Sequence, residues 1–160
     1  MSRRFRAALV LSIGLVSCAL GGEGYLVVAP RAAMGTLEPL LELRRQQYDV
    51  STLAVEDVPD LAIMRHVGIK KAIRARHSEA KPIRYILLVG DTRPGRDGLT
   101  AVPTHPLGFD VWYGVLATDN ARARPAALHQ PAMSVGRFPA ASLAELAIMV
   151  RKTVDYETRL

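Results

Sequence analysis

The segment that decides the fold is RYILLV, which runs from Arg84 to Val89. After its first residue the segment is wholly apolar, as is typical of a central parallel strand that helices cover on both faces. A first strand is predicted in YLVVA, from Tyr25 to Ala29, and Pro30 ends it. A second strand is expected from Tyr48 to Val55, where β-branched residues favour extended backbone.

Helical patterns separate these strands. Thr36 can cap a helix that continues to about Gln47. Its predicted inward face carries Leu37, Leu40 and Leu41, with Arg44 at the edge of that face. A second helix is expected from about Leu61 to His77. The apolar stripe predicted for this second helix consists of Ile63, Val67, Lys70, Ile73 and His77.

The end of the chain predicts one more strand and one more helix. Ser134 to Arg137 is a short strand, and Ser142 to Glu145 reads SLAE, a capping box that opens a helix continuing almost to Leu160. The stripe of that helix consists of Leu143, Leu146, Ala147, Val150 and Val154. The alternation of strands and helices predicts an α/β fold with three layers, a mostly parallel sheet between flanking helices. Because a helix in such folds usually leads to another strand, we expect this chain to be part of a larger unit.

Residues Gly90 to Pro131 differ from the rest, since they hold five of the ten prolines and only short strand-like pieces around Phe109 to Leu116. We expect a long excursion at the carboxyl end of the central strand. Its first residues, Gly90 to Asp97, have the outer spacing of a phosphate-binding loop. Arg96 and Asp97 stand where that loop needs Lys and Ser or Thr, and the prolines that follow exclude its helix.

The N-terminus predicts export. Met1 to Arg6 contains three arginines, and Ala7 to Val16 is an uncharged run too short to span a bilayer. We therefore predict a signal peptide over residues 1–21 and an extracytoplasmic location, either secreted or lipid-anchored at the cell envelope. Cys18 is the sole cysteine. It follows Leu-Val-Ser as in a bacterial lipobox, which makes it a candidate for lipidation as the first mature residue. Cleavage after Gly21 is the alternative.

The charge gives little support to nucleic-acid binding. The chain carries a net charge of +6, and removal of the leader leaves 18 basic against 15 acidic residues, a net charge of +3. No run of cations after the leader is longer than a pair, whereas a nucleic-acid surface usually shows a clustered basic face. We therefore predict no nucleic-acid partner, and contact with a membrane only through a lipid anchor.

Candidate chemical groups are few. Asp91, Asp110 and Asp119 fall in the long excursion and are candidates for a calcium site, because calcium takes oxygen ligands, although turns are the commoner use of such residues. No other cofactor is predicted. No GxSxG motif occurs, and the only thiol belongs to the leader or to its lipidation site. We predict no catalytic residue in this chain.

Several segments, in order, resemble the gingipain-like cysteine peptidases. They are GYLVVAP, LEPLLELRRQQYDV, RYILLVGD, FDVWYG and SVGRFPAASLAELAIMVRKTVDYE. The resemblance implies a caspase-like fold, of which residues 25–160 would be the N-terminal α/β subdomain, truncated before the catalytic subdomain. Gly90, Asp91, Gly136 and Arg137 match family positions, and we interpret them as structural residues of turns and interfaces.

In the family, the catalytic histidine and cysteine belong to the subdomain that follows. The resemblance therefore implies the exported N-terminal portion of a cysteine-type endopeptidase that is inactive alone. Its expected partner is the catalytic subdomain or another protein. The alternative is a non-catalytic, surface-attached binding or scaffolding domain.

Overall fold

The computed structural model describes residues 22–59, 65–78, 82–110, 114–119 and 133–159, and of residues 105–110 and 114–117 it describes the backbone alone. The predicted leader with Cys18 lies outside the described residues. Four of the described strands form a parallel sheet: β1 (Gly24–Ala29), β2 (Asp49–Ala54), β3 (Ile83–Val89) and β6 (Ser134–Phe138). Their order across the sheet is β2-β1-β3-β6. The predicted strands are thus confirmed to within one or two residues.

Among the described residues, three α-helices flank the sheet and complete the predicted α/β layers. They are α1 (Met34–Arg45), α2 (Arg65–Arg76) and α3 (Leu143–Glu157). Alternate residues of β1 point to opposite faces, as extended backbone requires. Val27 packs with Leu40 of α1 and Leu146 of α3, whereas Leu26 packs with Ile69 of α2. Helices therefore cover both faces of the sheet.

The long excursion contains an antiparallel hairpin of β4 (His105–Asp110) and β5 (Gly114–Thr118), which is separate from the main sheet. Its position agrees with the strand-like pieces predicted near Phe109 to Leu116. Among the described residues, none of the helices has both the length and the hydropathy to cross a membrane.

Helix α1 begins earlier than predicted. Thr36 lies inside it, and Ala33 occupies the N-cap position without a side-chain hydrogen bond. The reason is the short 3-10 helix at Arg31–Ala33, which opens when the Ala33 N–H donates to the Pro30 carbonyl and leads directly into α1. The predicted face is confirmed, since Leu37, Leu40 and Leu41 are all buried.

The predicted apolar stripe of α2 is wrong at two positions. Ile69 and Ile73 are fully buried, whereas Val67 is exposed and Lys70 is half-buried. Gly68 explains the rotation, because a Cβ there would lie 2.8 Å from Val58 Cγ1, so the helix backbone closely approaches Val58, which follows the 3-10 helix Val55–Asp57. Likewise in α3 Ala147 is exposed, while Leu146 and Val150 are buried as predicted.

Arg44 joins α1 to α3 near the amino edge of the sheet. Its guanidinium forms two hydrogen bonds to the carboxylate of Glu157, from Nη1 to Oε2 and from Nη2 to Oε1. It also lies 5.5 Å from the ring centroid of Tyr25, close enough for a cation–π contact. These hydrogen bonds from Arg44 lower the pKa of Glu157, against the opposing effect of burial.

Candidate functional site

The carboxyl edge of the sheet is where an α/β fold would place a functional site, because the loops that leave parallel strands meet there. The last residues of the strands are in register: Ala29 with Ala54, and Val89 with Phe138. Gly90 follows β3 with a φ of +116°, a conformation that favours glycine. Its N–H donates to the Phe138 carbonyl over 2.8 Å, so the turn is fixed to the end of β6.

Arg137 of β6 connects three segments at this edge. Its Nε and Nη2 donate to the two carboxylate oxygens of Asp119 over 2.7 and 2.8 Å. Its Nη1 donates to the carbonyls of Gly90, over 2.7 Å, and Val102, over 2.9 Å. The side chains of Arg137 and Asp119 are only 14% and 20% exposed, so solvent screens the pair poorly. Arg137 thereby holds the residue after the β4–β5 hairpin against the start of the excursion.

Glu56 makes a second set of connections beyond the end of β2. Its Oε2 accepts the backbone N–H of Arg31 over 2.9 Å, and its Oε1 accepts the Thr100 hydroxyl over 2.6 Å. Burial acts to raise the pKa of Glu56, but these hydrogen bonds outweigh it and hold that pKa below its ordinary value. One carboxylate therefore connects the loops that follow β1, β2 and β3.

The excursion also caps α3. Asp97, with a φ of +57°, accepts the N–H of Leu143 over 3.2 Å. Ser142 Oγ accepts the Glu145 N–H over 3.2 Å, which confirms one of the two hydrogen bonds of the predicted capping box, whereas Glu145 Oε2 accepts the N–H of Ala141, over 2.8 Å, and not that of Ser142. The 90–97 loop therefore supplies an oxygen to a helix start 46 residues away. Acidic oxygens therefore accept from N–H groups at the start of α3, where an anion could otherwise bind.

The calcium candidates take part in protein contacts. Asp91 Oδ1 accepts the Thr92 N–H, and that hydrogen bond lowers the pKa of Asp91. Asp119 accepts two hydrogen bonds from Arg137, and the side chain of Asp110 lies outside the described residues. No three carboxylate, histidine or thiol groups of the described chain form a set that could hold a metal ion. Calcium binding stays a prediction.

The residues that match family positions occupy two kinds of place. Gly90 and Asp91 begin the excursion, while Gly136 and Arg137 lie inside β6, where Gly136 pairs with Leu87. The contacts of Arg137 with three segments agree with an interface role. Gly136 is not in a turn, and a Cβ built on it would meet open space.

The described residues contain no thiol, and His77 lies at the opposite, amino edge of the sheet. His77, expected inside the second helix, follows the end of α2, and its Nδ1 accepts the Ile83 N–H at the amino end of β3 over 3.2 Å. His66 is on α2, and Cys18, His129 and the side chain of His105 are outside the described residues. The described side chains of the carboxyl edge thus form a hydrogen-bonded scaffold.

Glu56 and Thr100 were not singled out by the sequence patterns, and Asp97 was considered only as a residue of the 90–97 loop. Glu56 follows β2 directly, and a charged residue just beyond a strand's carboxyl end is the signal that could have identified it. Nothing in the sequence specified that Thr100 or Asp97 would contact distant segments.

Solved structures of proteases share this fold. The crystal structure of the Arg-specific cysteine proteinase gingipain R has 18% sequence identity and a TM-score of 0.67, over 85% of this chain and 28% of that chain. The complex of the RgpB pro- and mature domains from Porphyromonas gingivalis has 18% identity and a TM-score of 0.69, over 84% and 29%. A third structure, of a protease, has 20% identity and a TM-score of 0.62, over 84% and 28%. The chain thus spans less than a third of the length of these structures.

The search of curated proteins found no match. The sequence profile of peptidase family C25 matches residues 20–160, which is most of the chain and includes all four strands of the sheet. The chain therefore belongs to peptidase family C25, the gingipain-like cysteine peptidases.

Proposed function

We propose that this chain is the exported N-terminal portion of a gingipain-like cysteine endopeptidase and that it has no peptidase activity by itself. The observation that carries the proposal is the family match over residues 20–160 of a chain whose sole cysteine is Cys18, ahead of that match. Hydrolysis of a peptide by this family's chemistry needs a thiolate beside a base. A cysteine in the predicted leader is removed or acylated, so it is not such a thiolate.

In this proposal the carboxyl edge supports a catalytic part that another segment or chain supplies. Arg137 and Glu56 fix the loops there through contacts within the domain. A partner that docks on this edge would meet loops that are already ordered, which lowers the entropic cost of association. The partner would be the catalytic subdomain or a separate protein.

The test is a peptidase assay of the purified chain with mixed peptide substrates and a thiol reductant. We expect no turnover above the buffer blank. Turnover that iodoacetamide abolishes would mean that Cys18 is catalytic, whereas turnover that survives iodoacetamide would mean that another nucleophile acts. A Cys18→Ser variant is the matched control for the first of these outcomes.

A non-catalytic binding or scaffolding domain at the cell surface is the second candidate. It is favoured by the contacts that already occupy Arg137 and Glu56. Addition of a separately produced gingipain-like catalytic part distinguishes the two. Restored hydrolysis supports the peptidase portion, whereas stable folding without any restored hydrolysis supports the binding domain.

A further inference from the structure

Helix α3 carries the two most exposed large apolar side chains of the described part of the chain. Ile148 is 44% exposed and Tyr156 is 67% exposed, and Val67 follows at 36%. Ile148 and Tyr156 are eight residues apart, which is roughly 12 Å along the helix. The buried side of α3, with Leu146 and Val150, packs on the sheet. The outward side of α3 is therefore a candidate for contact with another molecule.

Two opposite charges stand between these apolar side chains. Arg151 and Asp155 are both exposed, and neither side chain forms an ion pair or a hydrogen bond with a described residue. They are four residues apart, but a cation on the amino-terminal side of an anion is the weaker arrangement for a pair within one helix. Both charges are thus available to a second molecule.

Helix α3 presents these groups on a rigid support. Ser142 and Asp97 accept hydrogen bonds from N–H groups at its start. Near its end, the carboxylate of Glu157 is held by the guanidinium of Arg44 from α1. A surface that is already ordered at both ends loses little conformational entropy when it binds.

We call Ile148, Arg151, Asp155 and Tyr156 the α3 outer face. This face is self-complementary, because it carries one charge of each sign and an apolar side chain on each side of the charges. A two-fold symmetric interface requires a surface of this kind, since the same patch contributes both halves. We propose that the α3 outer face binds the same face of a second copy of this chain, with the two helices antiparallel across a two-fold axis.

The spacing of the residues sets the register of this pair. With the axis midway between Arg151 and Asp155, each arginine is level with the partner's Asp155, so two ion pairs form. At 1.5 Å per residue, Ile148 is then only about 3 Å along the axis from the partner's Tyr156, within reach of its ring. Lys152 can keep its ammonium in water while its stem covers apolar surface. A partner with charges of one sign would leave Arg151 or Asp155 unpaired, so a second copy fits this face better.

A single pair of helices makes a small interface. Helix α3 has 15 residues and is about 22 Å long, so the area buried should fall short of the roughly 1,600 Å² of a standard interface. We therefore expect a weak dimer, with a Kd on the order of 100 µM. The α3 outer face takes no part in the contacts of Arg137 and Glu56, so the dimer is independent of the proposed peptidase role.

The test is sedimentation velocity of the full chain at concentrations from about 10 µM to about 500 µM. We expect the weight-average mass to rise with concentration from that of one chain toward that of two. Ile148→Asp should abolish the rise, because it places a carboxylate where the partner's apolar side chain would cover it. Arg93→Asp is the matched control, since Arg93 is exposed on the 90–97 loop, and it should leave the rise unchanged. The leader is common to all variants, so differences between them report on the substituted residue.

An exchange of charges tests the register. Arg151→Asp sets two carboxylates opposite each other across the dimer, and Asp155→Arg sets two guanidinium groups opposite each other. Each variant alone should therefore dimerise about 10-fold more weakly than the parent chain. An equimolar mixture of the two variants restores both ion pairs and should associate as the parent chain does.

Three results would overturn the proposal: a mass that stays that of one chain throughout, a rise that Ile148→Asp leaves unchanged, or a mixture that associates no better than its components. So would Ile148-dependent binding of a separately produced gingipain-like catalytic part to a chain that is itself monomeric, since the occupant of the face would then be another protein. Unchanged thermal unfolding of the variants at about 5 µM, where the monomer predominates, shows that a loss of association is not caused by misfolding.

Discussion

Removing the guanidinium of Arg137 should destabilise the domain more than any exposed substitution. The change Arg137→Met keeps the apolar stem but leaves the poorly exposed carboxylate of Asp119 without its two-point partner. It also removes the donor to the carbonyls of Gly90 and Val102. Breaking one side of a buried ion pair costs about 3–5 kcal/mol. Because both side chains keep some exposure, we expect a loss of about 3 kcal/mol.

The assay is urea unfolding of the full chain, followed by circular dichroism, with a thermal scan beside it. For a 160-residue chain, a loss of about 3 kcal/mol corresponds to a fall in Tm of about 6–12 °C. Arg137→Lys keeps the positive charge but loses the planar guanidinium that donates two parallel hydrogen bonds, so its loss of stability should be about half as large. Arg151→Met is the matched control, because Arg151 is exposed on α3 and its loss should be under about 0.5 kcal/mol.

A double-mutant cycle with Asp119→Asn isolates the pair from the rest of the environment of Arg137. We expect the two losses to be non-additive by about 1–2 kcal/mol, since each single change already breaks the same two hydrogen bonds. A loss below about 1 kcal/mol for Arg137→Met, or strict additivity in the cycle, would refute the argument that Arg137 holds the carboxyl edge together.

Two further predictions concern contacts between separate elements of the fold. Glu157→Gln should lower stability by about 1 kcal/mol at neutral pH. The pKa of Glu157 is lowered in the folded protein, so its stabilisation is complete above the ordinary glutamate range and is lost as pH falls through the folded pKa. In urea melts, the difference in free energy of unfolding between Glu157→Gln and the parent chain should therefore shrink below about pH 4. A difference that stayed constant with pH would contradict the pairing of Glu157 with Arg44. Gly95→Ala should lower the free energy of unfolding by about 1–3 kcal/mol, because the new Cβ would lie 2.7 Å from the Ala141 carbonyl oxygen. The matched control is Gly35→Ala, which has open space around its Cβ and should stabilise α1 by about 0.5 kcal/mol. Equal effects of the two glycine substitutions on the urea midpoint would show that the loop does not lie against Ala141.

The strands could be predicted from the sequence because each is a compact apolar run. RYILLV and YLVVA leave little choice of secondary structure, and their burial on both faces implies helices on both sides. The errors in α1 and α2 have local physical causes. Thr36 is a good N-cap type, but the 3-10 turn after Pro30 had already started the helix. Spacing alone could not show that Gly68 would lie against Val58 and rotate α2.

The carboxyl edge was beyond the reach of sequence patterns because its contacts connect residues far apart in the chain. Arg137 meets partners 18, 35 and 47 residues away, and Glu56 meets partners 25 and 44 residues away. A motif can specify which side chain follows a strand, but it cannot specify which loop returns to accept its hydrogen bonds.

The position of Arg137 in β6 has a physical explanation. An arginine at a sheet edge is stable only if its donors find acceptors, since an unpaired guanidinium out of water is costly. Here a loop carbonyl, the turn carbonyl after β3 and a carboxylate all face it. A lysine has one ammonium group and cannot bind the carboxylate and the two carbonyls at once. An arginine at this position of the strand therefore indicates a closed carboxyl edge, and Asp119→Asn should weaken that edge even though Asp119 lies outside the sheet.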